Sequence, residues 1–302
     1  MKIIRYIVLL LAFVASIFGL AAADEYAWDN VDRIVAIGDV HGDYERFLQL
    51  LRLTGLVNDE NAWTGGKTHL VQVGDVLDRG PKSKFVIDLL RKLSVEAREE
   101  GGYVHPLIGN HEILITKGDT RYVHPGEFQL FGGREKFLQE FGPSGNYGSW
   151  VRNNNTIIKI NDLLFLHGGI SPRYAKNSLK KINQAVRQSL DHSDYGVDGI
   201  LMSVDGPLWY RGYAVGNIGE FSPNVDRVLS NHHARHIVVG HTVSHEGIKT
   251  RLNGRVIMID VGYSRSYLGN DPACLLIEKG RFYEVRSTGI KELELSRGAS
   301  KR

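Results

Sequence analysis

One cysteine, Cys274, stands in 302 residues. A lone thiol cannot close an internal disulfide, and a chain of this length does not need one, because it can bury a sizeable core. Charge of one sign is lacking too. The formal net charge is +3 at pH 7, which gives no signal for a nucleic-acid partner. The chain has no internal repeat and no linker rich in Pro, Gly or Ser. With 42% hydrophobic and 24% charged residues, what remains has the composition of an ordinary globular protein.

The first 23 residues are different. Lys2 and Arg5 open a short basic region, residues 7–20 are almost wholly apolar, and Ala21, Ala22 and Ala23 precede Asp24. That order reads as a signal peptide, residues 1–23, cut before Asp24. The alternative is an N-terminal membrane anchor, since residues 7–23 make a 17-residue stretch at the lower limit for spanning. Removal takes the charge from +3 to +1 and leaves residues 24–302 as a single domain with no stable membrane association. The expected location is periplasmic or secreted. The low cysteine count suits a periplasm better than a disulfide-rich exterior.

Behind Asp24, apolar runs alternate with helical patterns. Arg33–Ile37 reads as a buried strand, and Asp43 as the cap of a helix carrying Phe47, Leu48, Leu50 and Leu51. Residues 69–73 form the next strand. Residues 82–100 form a helix with Phe85, Val86, Leu89, Leu90 and Leu93 on one face, and residues 103–108 form the third strand. This order implies an α/β fold. Residues 112–150 read as loops with a short helix or two, and residues 156–166 as a hairpin turning at Asn161-Asp162. Pro172 is placed to start a helix reaching Leu190, and residues 194–221 read as irregular. Strands follow at residues 236–239, 255–259, 273–277 and 281–285.

The chemistry gathers where strands end. Gly38-Asp39-Val40-His41-Gly42, Gly74-Asp75-Val76-Leu77-Asp78-Arg79-Gly80, Gly109-Asn110-His111-Glu112, His167-Gly168-Gly169 and Gly240-His241 each close an apolar run. Ligands of open α/β sheets bind at the carboxyl ends of strands. Asp39, His41, Asp75, Asn110, His167 and His241 offer three oxygen donors and three imidazoles. That set suits Mn, Fe or Zn. Six donors exceed one tetrahedral site. They fit two divalent ions sharing a carboxylate, which can bridge a hydroxide and clamp a phosphoryl group. The other histidines, His69, His105, His124, His192, His232, His233, His236 and His245, read as surface or hydrogen-bonded residues.

In that order, GDVHG, GDVLDRG, GNHE, HGG and VVGH resemble the phosphoprotein phosphatase family of binuclear metallophosphoesterases, from about Arg33 to Tyr263. The resemblance implies a four-layer αββα sandwich with two mixed β-sheets and a calcineurin-like metallophosphoesterase domain. It also implies a metal-dependent phosphatase acting on phosphate monoesters. By the same resemblance Asp39 and His41 hold the first metal, Asp75 bridges, and Asn110, His167 and His241 hold the second. His111 is implied as general acid, oriented by Asp78. Arg79, Arg211 and Asn110 are implied to bind the substrate phosphate.

The residue before GNHE is Ile108 rather than Arg, and DVGYSR stands in place of a SAPNYC-like loop. The DGPLWYRG stretch (Asp205 to Gly212), the absent Arg and the leader look more like the bacterial-type Shewanella-like phosphatases, some of which favour phosphotyrosine. The expected substrate is a phosphorylated protein or a small phosphomonoester, and nothing in the chain sets an oligomeric state. Rival readings are a dinucleoside polyphosphate hydrolase and a metal-binding pseudoenzyme. Aromatic residues of 122–150 and 209–213, with Tyr263, are the expected rim of the site. Tyr213 and Tyr263 are the residues expected to read a substrate ring.

Overall fold

The computed structural model describes residues 25–295. The leader over residues 1–23, its cleavage before Asp24 and the basic tail from Ser296 lie outside the described residues.

Two six-stranded mixed sheets face each other. In the first, β2 (Arg33–Ile37), β3 (His69–Gln72) and β4 (Tyr103–Pro106) run parallel. The antiparallel strands β10 (Ala273–Glu278), β11 (Arg281–Arg286) and β12 (Gly289–Glu292) extend this sheet from β2. The second runs in the order β1 (Ala27–Trp28), β5 (Ile157–Ile160), β6 (Leu163–Leu166), β7 (His236–Val239), β9 (Val256–Met258) and β8 (Lys249–Arg251). Within it, β6, β7 and β9 are mutually parallel.

Alternation along the strands divides the core. Ile158, Ile160, Leu163 and Phe165 join the cluster shared with the first sheet, which also takes in Ile34, Ile37, Leu70 and Leu275. Ile157, Leu164 and Leu166 point the other way. They pack with Leu179 and Ile182 of α7 (Leu179–Asp191) and with Val225 and Val228 of α9 (Ile218–Asn231). On the first sheet, α1 (Tyr44–Leu53) and α2 (Ser83–Glu99) supply Phe47, Leu50, Leu51, Val86, Leu89 and Leu90. Asp43 caps α1 as its sequence implies, accepting from Arg46 N at 3.2 Å. Layering and sheets agree with the expected αββα sandwich.

Several local readings are corrected. Phe85 lies on the outer side of α2, 42% exposed, against Tyr44. Residues 112–150 are more helical than expected: α3 (Asn110–Thr116), α4 (Pro125–Leu130), α5 (Arg134–Phe141) and α6 (Asn146–Asn153) pack round Phe131, Phe137, Phe141 and Tyr147. Helix α7 starts not at Pro172 but after Ser178, whose hydroxyl accepts from Lys181 N. The stretch read as irregular contains α8 (Gly212–Val215) and the start of α9, which runs through Pro223. Cys274 is fully buried, and burial pushes its thiol up to about 12.

Candidate metal-binding active site

Strand register sets the site. Ile37 lies level with Gln72, Gln72 with Pro106, Leu166 with Val239, and Val239 with Met258. The turns that leave these strands therefore emerge at one end of the sandwich. Five of their residues, His41, Asp75, Asp78, Arg79 and His241, hold positive φ between 46° and 69°. Such strain concentrates where surrounding structure and function demand it. Glycine provides the clearance. A Cβ on Gly240 would lie 2.5 Å from Asp39 Oδ1.

Asp75 is the centre. Its Oδ2 lies 3.8 Å from His41 Nε2, 3.9 Å from His111 Nε2 and 3.3 Å from His167 Nε2. His41 Nε2 is 4.0 Å from Asp39 Oδ2. The ligand atoms of Asp75, His167 and His241 form one cluster, and those of His41, Asp75 and His111 another, each within 4.8 Å. Asp75 belongs to both.

Three imidazoles are oriented alike. His41 Nδ1 faces Leu77 O at 2.9 Å, His167 Nδ1 faces Val73 O at 3.0 Å, and His241 Nε2 faces Trp209 O at 3.1 Å. A carbonyl only accepts, so each of these ring nitrogens carries the proton and the other presents a lone pair. Those lone pairs converge. His167 Nε2 lies 2.9 Å from Asn110 Oδ1 and 3.1 Å from His241 Nδ1. Acceptors crowded this closely repel one another unless a cation lies among them.

Charge leads to the same conclusion. Burial lowers His41 to about 3 and His241 to about 2, so both are neutral, as metal ligands must be. Burial raises Asp39 well above the usual carboxylate range, reinforced by Asp260 and Asp75. The donor set fits divalent cations.

His111 is built differently. Its Nδ1 contacts Asp78 Oδ2 at 2.6 Å, and its Nε2 faces the cluster, 3.4 Å from Arg79 Nη2. Burial would lower its pKa, but Asp75 and Asp78 outweigh burial and raise it. Arg79 Nη1 is buried without a partner among the described residues. Arg211 donates through Nη1 to His241 O at 2.8 Å and Thr242 Oγ1 at 2.9 Å, which places it beside the site. All ten residues read from sequence thus assemble at one end.

Three further residues, and Tyr122 of the expected rim, stand there. Glu112 closes the turn as an acceptor: Oε2 takes Gly109 N and Asp75 N at 2.7 and 2.8 Å, and Oε1 takes Val76 N and Leu77 N at 2.9 and 3.2 Å. Asp260 follows β9 as Asp39 follows β2. Burial raises it to about 6 beside Asp39 and Asp75. The same pattern of an apolar run ending in Asp would have found it. Tyr267, 45% exposed, lies with its ring 3.5 Å from the Arg79 guanidinium carbon and edge-on to His41. Tyr122, 46% exposed, stands edge-on to His111. Tyr122, and Trp209 edge-on to His241, stand where the expected rim put them, and the expectation is corrected at Tyr213 and Tyr263. Tyr213 and Tyr263 are 0% and 1% exposed and cannot touch a substrate.

Residues 32–245 match the Calcineurin-like phosphoesterase family. An uncharacterized protein of Schizosaccharomyces pombe is 34% identical over 78% of this chain and 74% of its own. Shewanella-like protein phosphatase 1 of Plasmodium berghei is 31% identical over 80% and 69%. The crystal structure of the cold-active protein-tyrosine phosphatase of a psychrophile Shewanella sp. superposes with a TM-score of 0.80 at 32% identity, covering 90% of this chain and 84% of that one. With the cation-fitting cluster and the His111–Asp78 pair beside it, these likenesses place the chain: it belongs to the calcineurin-like phosphoesterases, alongside the Shewanella-like protein phosphatases, and is a metal-dependent phosphatase.

Proposed function

We propose that the enzyme removes phosphate from phosphorylated proteins or peptides, prefers phosphotyrosine, and acts in the periplasm or outside the cell once residues 1–23 are removed. Asp39, His41 and Asp75 would hold one divalent ion. Asp75, Asn110, His167 and His241 would hold a second, with Mn, Fe or Zn suited to the donors. Such ions supply Lewis acidity toward phosphoryl oxygens and lower the pKa of water. Arg79 and Arg211 offer planar forks for the remaining phosphate oxygens. His111 gives the proton at Nε2 to the departing ester oxygen, while Asp78 holds Nδ1 and stabilises the imidazolium.

The observation carrying the reaction is His111 itself. Its Nδ1 is fixed on Asp78 at 2.6 Å and its Nε2 is turned to Asp75 at 3.9 Å. Tyrosine preference rests on Tyr122 and Tyr267, half-exposed rings beside the proton donor and the phosphate-binding Arg79. An aromatic contact is worth about 0.5–1.5 kcal/mol beyond area, up to about tenfold. The Shewanella neighbour's name as a tyrosine phosphatase agrees.

The test is kcat/KM on matched peptides differing only in phosphotyrosine or phosphoserine, with a dinucleoside tetraphosphate as control. The expected ratio favours phosphotyrosine and falls several-fold in Tyr267→Ala. A ratio at or below one in the wild type would refute the preference.

A further inference from the structure

The connection between β9 and β10, residues 259–272, forms neither helix nor strand. A connection that long without regular structure is uncommon and often functional. It brings Tyr267 and Leu268 to the surface, and the Tyr267 ring lies over Arg79, 3.5 Å from the guanidinium carbon. At that distance the carbon stands over the face of the ring. A ring face attracts a guanidinium without using up its N–H donors. Otherwise Arg79 is lightly held. Its N donates to Tyr122 O at 2.7 Å, its Nη2 lies 3.4 Å from His111 Nε2, and no carboxylate pairs with it among the described residues.

Tyr267 is exposed, so the core does not place it. Arg265 does. Its N and Nε donate to Asp43 Oδ2 at 2.9 and 3.0 Å, and its Nη2 donates to Asp43 Oδ1 at 2.9 Å. A fork on both carboxylate oxygens fixes orientation as well as distance. Asp43 is buried and is itself anchored as the cap of α1. Arg46, in the first turn of α1, donates to Tyr263 O, and to Asn270 O at 2.8 Å. The start of α1 therefore grips the connection on both sides of Tyr267. Between those grips, Ser264 O accepts from Tyr267 N at 3.0 Å and from Gly269 N at 2.9 Å. An ion pair as exposed as that of Arg265 adds little to stability. What its three bonds supply is the place of Tyr267.

We infer that Arg265 is a positioning residue for phosphate binding, given Arg79 as the phosphate ligand of the proposed function. Seated on Asp43, Arg265 fixes the connection that lays Tyr267 on Arg79, and the ring holds the guanidinium ready for the phosphate. This role concerns the phosphate itself and requires no preference among esters.

The experiment measures inhibition of p-nitrophenyl phosphate hydrolysis by inorganic phosphate, in the full mature protein loaded with Mn and in variants of equal metal content. Inorganic phosphate has no ring, so its inhibition constant reads the phosphate site apart from any contact between Tyr267 and a substrate ring. Arg265→Gln and Tyr267→Ala should each raise that constant by about three- to tenfold, with kcat changing less. Tyr267→Phe keeps the ring and should keep most of the affinity. Arg265→Lys cannot fork and should fall between the wild type and Arg265→Gln. Both residues act through one contact, so Arg265→Gln added to Tyr267→Ala should cost nothing more, whereas a merely structural Arg265 would add its own loss. Additive losses, or a constant raised by Arg79→Ala but not by Arg265→Gln, would overturn the role of Arg265 and leave Arg79 a phosphate ligand. A constant unchanged in Arg79→Ala would remove Arg79 from phosphate binding, and the positioning role with it.

Discussion

His111 shows how little separates a ligand from an acid in this site. Its Nε2 lies as near Asp75 as that of His41 does, at 3.9 against 3.8 Å, yet its Nδ1 is on a carboxylate rather than a carbonyl. A carboxylate partner favours the charged imidazolium, and a carbonyl fixes a neutral tautomer. His111→Asn is therefore expected to keep its metal content and lose kcat by a factor on the order of 10²–10⁴. Metal analysis beside kcat on p-nitrophenyl phosphate checks this, and lost metal would make His111 a ligand. The donors were legible in the sequence because each follows an apolar run with a glycine beside it, so strand direction alone brings them together. The rim was legible only in part, at Tyr122 and Trp209, which stand edge-on to His111 and His241. Tyr213 and Tyr263 look like Tyr122 and Tyr267 in a sequence. Only packing shows that the Tyr213 hydroxyl donates to Ile170 O at 2.6 Å in the core, while Tyr267 lies over Arg79.

Elements were read best where one periodicity ruled. Strands β2, β3 and β4 and helices α1 and α2 fell where apolar spacing put them. The edge strands β8 and β12, three and four residues long and largely polar, carry no such pattern. Helix α9 was obscured by Pro223, and α7 by a proline placed ahead of its true cap, Ser178. Two predictions belong at this scale. Glu112 joins α3 to the Asp75 turn with four backbone N–H groups as donors, a load that an amide, with one oxygen, cannot carry. Glu112→Gln should fold and bind metal about 10–100-fold more weakly, measured by calorimetry on the apoprotein. Unchanged affinity would remove Glu112 from the site's support. Glu127 of α4 sets a pH limit of its own. Its carboxylate accepts from Ser83 N at the start of α2, and burial, offset by that bond, raises it to about 7 from an unfolded value of 4.5. The folded state then binds the extra proton, so this contribution is full below about pH 4.5 and is lost as pH rises through about 7. Glu127→Gln, a mimic of the protonated acid, should match wild-type stability near pH 5 and exceed it by on the order of 2–3 kcal/mol near pH 8 in urea titrations. A constant difference across that range would reject the titration.

At the scale of the whole molecule, the site is a clasp between two sheets. Asp39, His41, Asp75 and Asn110 come from turns of one sheet, and His167 and His241 from turns of the other. Below them the core is continuous across both sheets, from Ile34 and Leu70 to Phe165 and Val238. The apolar contact should therefore hold the sandwich together by itself, while the turns carry convergent lone pairs that repel without a cation. Among the described residues no helix is long and apolar enough to cross a membrane. An ion that binds only the folded state adds about 2.7 kcal/mol at a concentration a hundred times its dissociation constant. Stripping metal with a chelator should leave the far-ultraviolet circular dichroism at 25 °C unchanged. It should lower Tm by several degrees, at roughly 2–4 °C per kcal/mol for a large domain, and excess Mn or Zn should restore it. Asp75→Asn, which removes the carboxylate shared by both clusters, should lose most of that response. If chelation abolished turnover yet left Tm where it was, the cations would add nothing to the folded state's stability, and the clasp would be wrong.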